Sequence, residues 1–415
     1  MQERVARGSD AASGPADRLN GPKYFADAVA GARAVSTIDM AAIVANWRTL
    51  AERVAPAACA AVIKASAYGL GARHAEMLAT DLNTAGCTTF FVATIDEALM
   101  LGRIRDRAVI YVLDGYHAAR ADAYTQGIRP VLSSLAQIEA FATHAAAAED
   151  ANATPPAAAI HIDTGMSRLG LTAADVATLS TQHHVLAAFK LALVVTHPAC
   201  ADDLDDQMTT EQLGAFNTLR AKLPDAPASF ANSAAIFHGA GLHLDLVRPG
   251  IALYGARASE NIPAAMTPAV GLHGRILQVR DIPPGASVGY GATFVARRPT
   301  RIATIATGYA DGYERALGNL PARARPNVWI NGHPAPLAGR VSMDMITADV
   351  TDLPPSDVCE GDFAELFGVH QTVDDLADMC GTIGYELLTG FGTRAVRVGW
   401  RGDGTALKPD GEVGA

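Results

Sequence analysis

Cysteine, charge and long apolar runs are all scarce in this chain of 415 residues. Its five cysteines, Cys59, Cys87, Cys200, Cys359 and Cys380, form no Cys-x-x-Cys pair. That excludes a disulfide framework and a cysteine-built zinc site, and makes a reducing cytoplasm the expected location. Charged residues make up 18% of the chain and the formal net charge is -10, without long basic runs. Nucleic acid and anionic membrane are therefore not expected as partners. No uninterrupted apolar segment reaches the roughly 20 residues that span a bilayer. Charge at Glu3, Arg4 and Arg7 is not followed by an apolar stretch, so neither signal peptide nor anchor is expected. What is present is a 49% hydrophobic composition, enough for two domains with a sizeable core.

Residues 1–33 are rich in Ala, Gly, Ser and Asp and read as a flexible tail. Ser36 or Asp39 can cap a helix from Met40 to about Val54, because Ile43, Trp47, Leu50 and Val54 fall at helical spacing. Apolar, β-branched runs then recur at Cys59–Ile63, Thr88–Ala93, Ala108–Leu113, Ile128–Leu132, Ala158–Ile162, Leu191–Val195, Ala228–Ala231 and Leu246–Leu253. Most are separated by helix-favouring segments. Eight β–α units in about 200 residues match the count and scale of a closed (β/α)8 TIM-type barrel, here residues 34–268. An open doubly wound sheet has the same local rhythm. Past about Met266, strand-like runs at Gly274–Val279, Arg301–Thr307, Val328–Ile330, Ile346–Val350 and Phe363–Leu366 are broken by turn sequences. Residues 269–402 therefore read as a mainly-β domain with one helix at Val373–Met379. Residues 403–415 are expected to form a second flexible tail.

Within the barrel region, Ala61 to Gly71 brings an apolar run, a lysine and a glycine-rich turn together. Lys64 falls at the C-terminal end of a strand, the edge where α/β folds collect catalytic groups. A lysine among apolar neighbours finds its charged form costly, so its pKa falls and the amine becomes a nucleophile or base. The ordinary alternative is a lysine snorkelling out of a strand end. Asp163 to Arg168, His197, Asn232-Ser233 and Arg248 to Gly250 also follow strand-like runs and would meet Lys64 at one rim. Gly250 and Ile251 could offer backbone N–H groups, and Ser233 a hydroxyl, to a phosphate. Singly, His197 would be a loop histidine, Asn232-Ser233 a helix cap and Arg248 an ion-pair partner. Tyr290 and Tyr309, each set beside glycines in the second domain, would be packing residues, and Met343-Asp344 and Tyr385 are ordinary by themselves.

Together these stretches resemble the alanine racemases, which depend on pyridoxal 5'-phosphate. The resemblance runs in order from about Thr37 to Val398. Its motifs are Val62-Ile63-Lys64-Ala65-Ser66-Ala67-Tyr68-Gly69, Asp163 to Gly170, Thr196-His197, Asn232-Ser233-Ala234, Val247 to Ile251, Gly289 to Thr293, Gly308 to Gly312, Ser342-Met343-Asp344 and Gly384-Tyr385-Glu386. It implies a barrel plus β domain working as a homodimer with shared sites. Lys64 would carry the cofactor covalently. Tyr68, Ser233, Gly250, Ile251 and Tyr385 would hold its phosphate, Asn232 would also contact the cofactor, Arg248 would face its ring nitrogen, and His197 would pack beside the ring. Arg168 and Met343 would engage the carboxylate of a small amino acid. Lys64 and Tyr290 would be the two catalytic bases, with Tyr290 and Met343 coming from the second subunit and Arg248, acting through His197, favouring the phenolate. His161, Tyr309 and Asp344 would support these groups from behind.

Departures from the pattern are informative. Ser66 stands where the family usually has Asn, and Leu70 where a second His often follows. His161 stands where several members carry a carbamylated lysine that bonds the carboxylate-binding arginine. Neutral His161 could accept a hydrogen bond from Arg168 but lends it no negative charge, so insensitivity to bicarbonate is expected. Arg394-Ala-Val-Arg-Val398 also departs from the family ending. The resemblance implies racemisation of alanine, with D-alanine supplied to peptidoglycan. Competing readings are a broad-specificity, serine or basic amino-acid racemase, a decarboxylase using a cysteine, and a non-catalytic cofactor carrier.

Overall fold

The computed structural model describes residues 29–124, 127–147, 155–261 and 266–401. The expectations for residues 1–28 and 402–415 lie outside that range.

The repeated apolar runs form one parallel barrel. Its first strand is interrupted at Ala60 into β2 (Ala58–Cys59) and β3 (Ala61–Val62), with β1 given below. There follow β4 (Thr89–Val92), β5 (Val109–Val112), β6 (Ile128–Leu132), β7 (Ala157–His161), β8 (Lys190–Val195), β9 (Ala228–Ser229) and β10 (Leu246–Val247). Strands β3 to β9 pair in sequence order, all parallel, and β10 pairs with β2. Closure is carried by the backbone: Ala60 N–H donates to Val247 O at 3.0 Å and Val62 N–H to Pro249 O at 2.9 Å. On the other flank Arg248 N–H donates to Ala231 O at 2.9 Å. No open edge is left, which settles the choice against a doubly wound sheet.

The last expected strand, Leu246–Leu253, is shortened to Leu246–Val247. Pro249 has no N–H to continue a ladder, and Ile251–Tyr254 winds instead into a 3-10 turn. The first expected helix is present as Met40–Val54, capped by Asp39, whose side chain accepts from Ala42 N–H at 2.9 Å. It buries Met40, Ile43, Trp47, Leu50 and Val54. Buried Asn46 on the same face ties it to the joint between domains, bonding Leu253 O at 3.0 Å and Thr267 O at 2.9 Å.

Ser36 is not a cap but part of β1 (Ala34–Asp39), which pairs antiparallel with β11 (Val270–Ile282) and parallel with β19 (Val396–Trp400). A stretch read with the barrel is therefore a strand of the second sheet. That sheet adds β14 (Thr300–Ile305), β15 (Asn327–Ile330), β16 (His333–Pro336), β17 (Ile346–Asp349) and β18 (Phe363–Phe367) around the long β11, while β12 (Ser287–Val288) and β13 (Phe294–Val295) form a separate hairpin. Strand β16 holds two prolines and sits at the edge, where missing N–H groups cost no ladder bonds. The expected helix is Val373–Cys380, and a further helix, Gly384–Thr389, returns to the barrel rim.

Candidate active site

Lys64 leaves β3 just after Ile63, whose N–H still donates to Phe91 O at 2.9 Å on the neighbouring strand. The chain then makes a left-handed turn without glycine: Ala65, Ser66, Ala67 and Tyr68 have φ of 53, 52, 57 and 56°. This conformation costs roughly 1–2 kcal/mol per non-glycine residue, so outside contacts must hold it. Gly69 closes the turn at φ 90°, and a β-carbon there would strike Leu388 O of the Gly384–Thr389 helix. From β19, Arg397 donates Nε and Nη2 to Gly69 O at 3.2 and 3.1 Å. The turn delivers both Lys64 and the Tyr68 ring to one cavity.

That cavity, about 360 Å³, opens at the C-terminal rim of the barrel. Of the expected residues it is lined by Lys64, Tyr68, His161, Arg168, His197, Asn232, Ser233, Arg248, Gly250 and Tyr385. Lys64 is half-buried. Its pKa is lowered chiefly by burial and then by the Arg168 guanidinium, while Glu97 works in the opposite sense. Arg168 lies on the Asp163–Gly170 loop, exposed, without an acidic partner among the described residues. The expected hydrogen bond from Arg168 to His161 is not formed. His161 is neutral, its pKa pushed down to about 4 by burial first and Arg248 next.

Arg248 is buried, and its guanidinium is satisfied by neutral acceptors. Nη1 donates to Ser229 Oγ at 2.5 Å, and Nη2 donates to Thr196 O at 2.7 Å and Phe230 O at 3.3 Å and faces His197 Nδ1 at 3.4 Å. Burial pushes its pKa down to about 10, which leaves it a cation at neutral pH. His197 is held neutral, its pKa pushed down to about 3 by burial and then by Arg248. A guanidinium only donates, so Nδ1 is the acceptor and the proton of this ring rests on Nε2.

At the far end Ser233 Oγ accepts from Gly250 N–H at 2.8 Å. Tyr68 lies over Gly250, its ring tilted 32° against Tyr254 at 4.7 Å between centroids and 6.0 Å from Tyr385. Burial keeps both the Tyr68 and Tyr385 phenols protonated. Ile251 is fully buried and, unlike the other expected cofactor residues, does not line the cavity. Asn232 is also a cap, its Oδ1 accepting from Ala235 N–H at 2.9 Å.

Four expected residues lie elsewhere. Tyr290, Met343 and Tyr309 are 73%, 52% and 41% exposed on the β domain. Tyr290 sits in the turn joining β12 to β13, between Gly289 and Gly291 at φ 75 and 72°. The Tyr309 and Met343 loops are stitched together by Tyr309 N–H to Ser342 O and Ala310 N–H to Met343 O, both 3.0 Å. Arg394 pins them, gripping Asp311 with Nε and Nη2 at 2.9 and 3.0 Å and Asp344 with Nη1 at 2.6 Å. In one chain these groups do not reach the cavity.

The profile of the alanine racemase N-terminal domain matches residues 38–258, and that of the C-terminal domain residues 269–399. The chain belongs to the alanine racemase family. It is 43% identical over 369 residues to the catabolic alanine racemase of Agrobacterium fabrum, covering 88% of this chain and 92% of that protein. It is 43% identical over 362 residues to the alanine racemase of Methylobacterium sp. strain 4-46, covering 87% and 96%. Among solved structures, the Bartonella henselae alanine racemase with covalently bound pyridoxal phosphate superposes with a TM-score of 0.80 at 40% identity, covering 89% of this chain and all of that one. The biosynthetic alanine racemase of Pseudomonas aeruginosa gives 0.77 at 35% identity, covering 89% and 99%.

For an alanine racemase the residues the sequence did not single out are Phe91 and Glu97. Phe91 lies under the Arg248 guanidinium, 5.9 Å from ring centroid to Cζ. Glu97 contacts the Lys64 turn, and its signal was the Thr94-x-x-Glu97 capping box that opens the helix Ile95–Met100.

Proposed function

We propose that the protein racemises alanine with pyridoxal 5'-phosphate, and that two copies complete each other's sites. The observation that carries this reading is a single cavity joining a lysine of lowered pKa to a buried arginine satisfied by neutral acceptors. The residues fit the cofactor. Gly250 leaves a cradle that a β-carbon would fill, bounded by the Tyr68 and Ser233 hydroxyls and suited to a phosphate. Lys64 would hold the aldehyde carbon, and Arg248 would face the ring nitrogen.

When bound, pyridoxal phosphate takes up the electron pair released as the substrate's α-proton leaves. The chain does the rest. Arg248, still a cation, disfavours protonation of the ring nitrogen and so restrains side reactions such as transamination. Arg168 binds the substrate carboxylate. Lys64 Nζ, whose pKa burial lowers, serves one face of the α-carbon. Racemisation needs a second base on the opposite face, and Tyr290 of a second copy fills that role, accompanied by its Met343. The exposure of both residues, outside their own chain's cavity, supports the shared site.

We assign the physiological direction to D-alanine supply for peptidoglycan in the cytoplasm. A strain lacking the gene should need D-alanine to grow, and growth without it would remove this role. The site is tested by incubating loaded protein with single enantiomers of alanine, serine, arginine and lysine and separating the products by chiral chromatography. Rapid turnover of alanine alone supports the assignment; equal turnover of arginine makes it a broad racemase. Mixing inactive Lys64→Ala and Tyr290→Phe subunits should restore partial activity, because one composite site then receives both wild-type residues. No recovery would refute sharing.

A further inference from the structure

A left-handed turn of four non-glycine residues does not hold itself, and the carboxylate that reaches it belongs to Glu97. We propose that Glu97 is a positioning residue for Lys64, tying the lysine's turn to the helix start that faces it at the barrel rim. This rests on the reading of Lys64 as the cofactor-bearing amine.

The two carboxylate oxygens divide their work. Oε2 accepts from Ala93 N–H at 2.7 Å and Thr94 N–H at 3.4 Å, which completes a capping box together with Glu97 N–H donating to Thr94 Oγ1 at 3.3 Å. Oε1 is not needed for the box. It accepts from Ser66 N–H at 3.3 Å, in the middle of the left-handed turn. The turn's other end is held from the β domain by Arg397 on Gly69 O. Lys64 and Tyr68 are thus fixed from both domains, and the barrel-side tie is one charged group close enough to act on the amine.

The charged groups facing Lys64 are Arg168, which drives its proton off, and Glu97, which draws it back. His197, held neutral, adds no charge. Glu97 therefore braces the turn that carries the amine and raises the amine's affinity for a proton against burial and Arg168, a role that a helix cap alone would not have.

The test uses full-length protein stripped of cofactor. Reductive methylation of Lys64 is followed against pH by peptide mass spectrometry in wild type, Glu97→Gln and Thr94→Ala. Glu97→Gln keeps the size and one acceptor oxygen but removes the charge; Thr94→Ala removes the cap hydroxyl and leaves the Glu97–Ser66 contact. The Lys64 profile should move to lower pH in Glu97→Gln and stay in place in Thr94→Ala. Hydrogen exchange at the Ser66 amide should quicken in Glu97→Ala, with partial rescue in Glu97→Gln, and kcat of the loaded Glu97→Ala enzyme should fall by about tenfold or more. Coincident Lys64 profiles in wild type and Glu97→Gln would overturn the proposal, as would an unchanged Ser66 amide. Borohydride reduction separately maps the cofactor-bearing lysine. Label found away from Lys64 would refute the underlying reading without moving the Lys64 profile.

Discussion

The hydroxyl of Tyr68 lies directly over Gly250, well inside contact distance of the point a β-carbon would occupy. Tyr68 is placed by the strained turn after Lys64, and Gly250 by the break after β10, so elements from opposite ends of the barrel sequence meet at this spot. Gly250→Ala should push the phenol aside and narrow the cradle while leaving the fold intact. Cofactor affinity should drop at least about tenfold, near 1.4 kcal/mol, read by absorbance titration of stripped protein. Unchanged affinity would show that the cradle does not hold the cofactor's phosphate.

Three histidines carry a pH dependence whose direction follows from their burial. His161, His197 and His273 have pKa values pushed down to about 4, 3 and 3, each by burial first. From the ordinary value near 6.5 down to these folded values, the unfolded chain binds protons that the folded chain refuses. Stability is therefore full above about pH 6.5 and falls as the solution is acidified, by about 1.4 kcal/mol per pH unit for each such group. His161→Asn should flatten the slope between pH 6 and 5 by about one proton's worth, measured by urea unfolding at each pH. An unaltered slope would mean that His161 is charged in the folded protein. By the same reasoning wild-type activity should be indifferent to bicarbonate, whereas His161→Lys should acquire that dependence.

Much of this arrangement was legible in the sequence because local patterns carried it. The eight apolar runs gave the barrel, and the strand–lysine–glycine stretch gave Lys64. What escaped was non-local. Strand β1, Ala-Val-Ser-Thr-Ile-Asp, is short and lies beside a strong helix signal; its partners β11 and β19 are more than 200 residues away, and no periodicity announces them. Likewise Glu97 reads as half of a capping box, and only the folded chain brings its second oxygen to Ser66. The Arg168–His161 contact failed because that loop turns at Gly165, Ser167 and Gly170, all at positive φ, and leaves the guanidinium exposed.

Arg394 offers a test of the β-domain loops separate from the barrel. Its guanidinium joins Asp311 to Asp344 and so locks the Tyr309 and Met343 loops in one register. Arg394→Lys cannot reproduce the planar grip on two carboxylates. Cofactor affinity should stay at the wild-type level, since none of these groups lines the cavity, while kcat/KM should fall by about tenfold or more through misplaced partner residues. A fall in cofactor affinity instead would mean that the loops act on their own chain's cavity.

Tyr290 is the second base of the proposed mechanism. Racemisation removes the α-proton from one face of the substrate's α-carbon and returns one to the other face, so a pair of groups on opposite sides serves better than a single group that must cross. Lys64, carried by β3 and by a turn held from both domains, would serve one face of the α-carbon. With Tyr290 of a second copy on the other face, we assign the proton of D-alanine to Lys64 and that of L-alanine to Tyr290. Tyr290→Phe should keep the cofactor bound and coloured and lower kcat in both directions, by about 100-fold or more, because each turnover needs both groups. Solvent deuterium exchange separates the faces: in the variant, exchange into D-alanine should survive better than exchange into L-alanine. Equal loss for both enantiomers would remove the assignment of faces, and near-normal racemisation would remove Tyr290 from the chemistry.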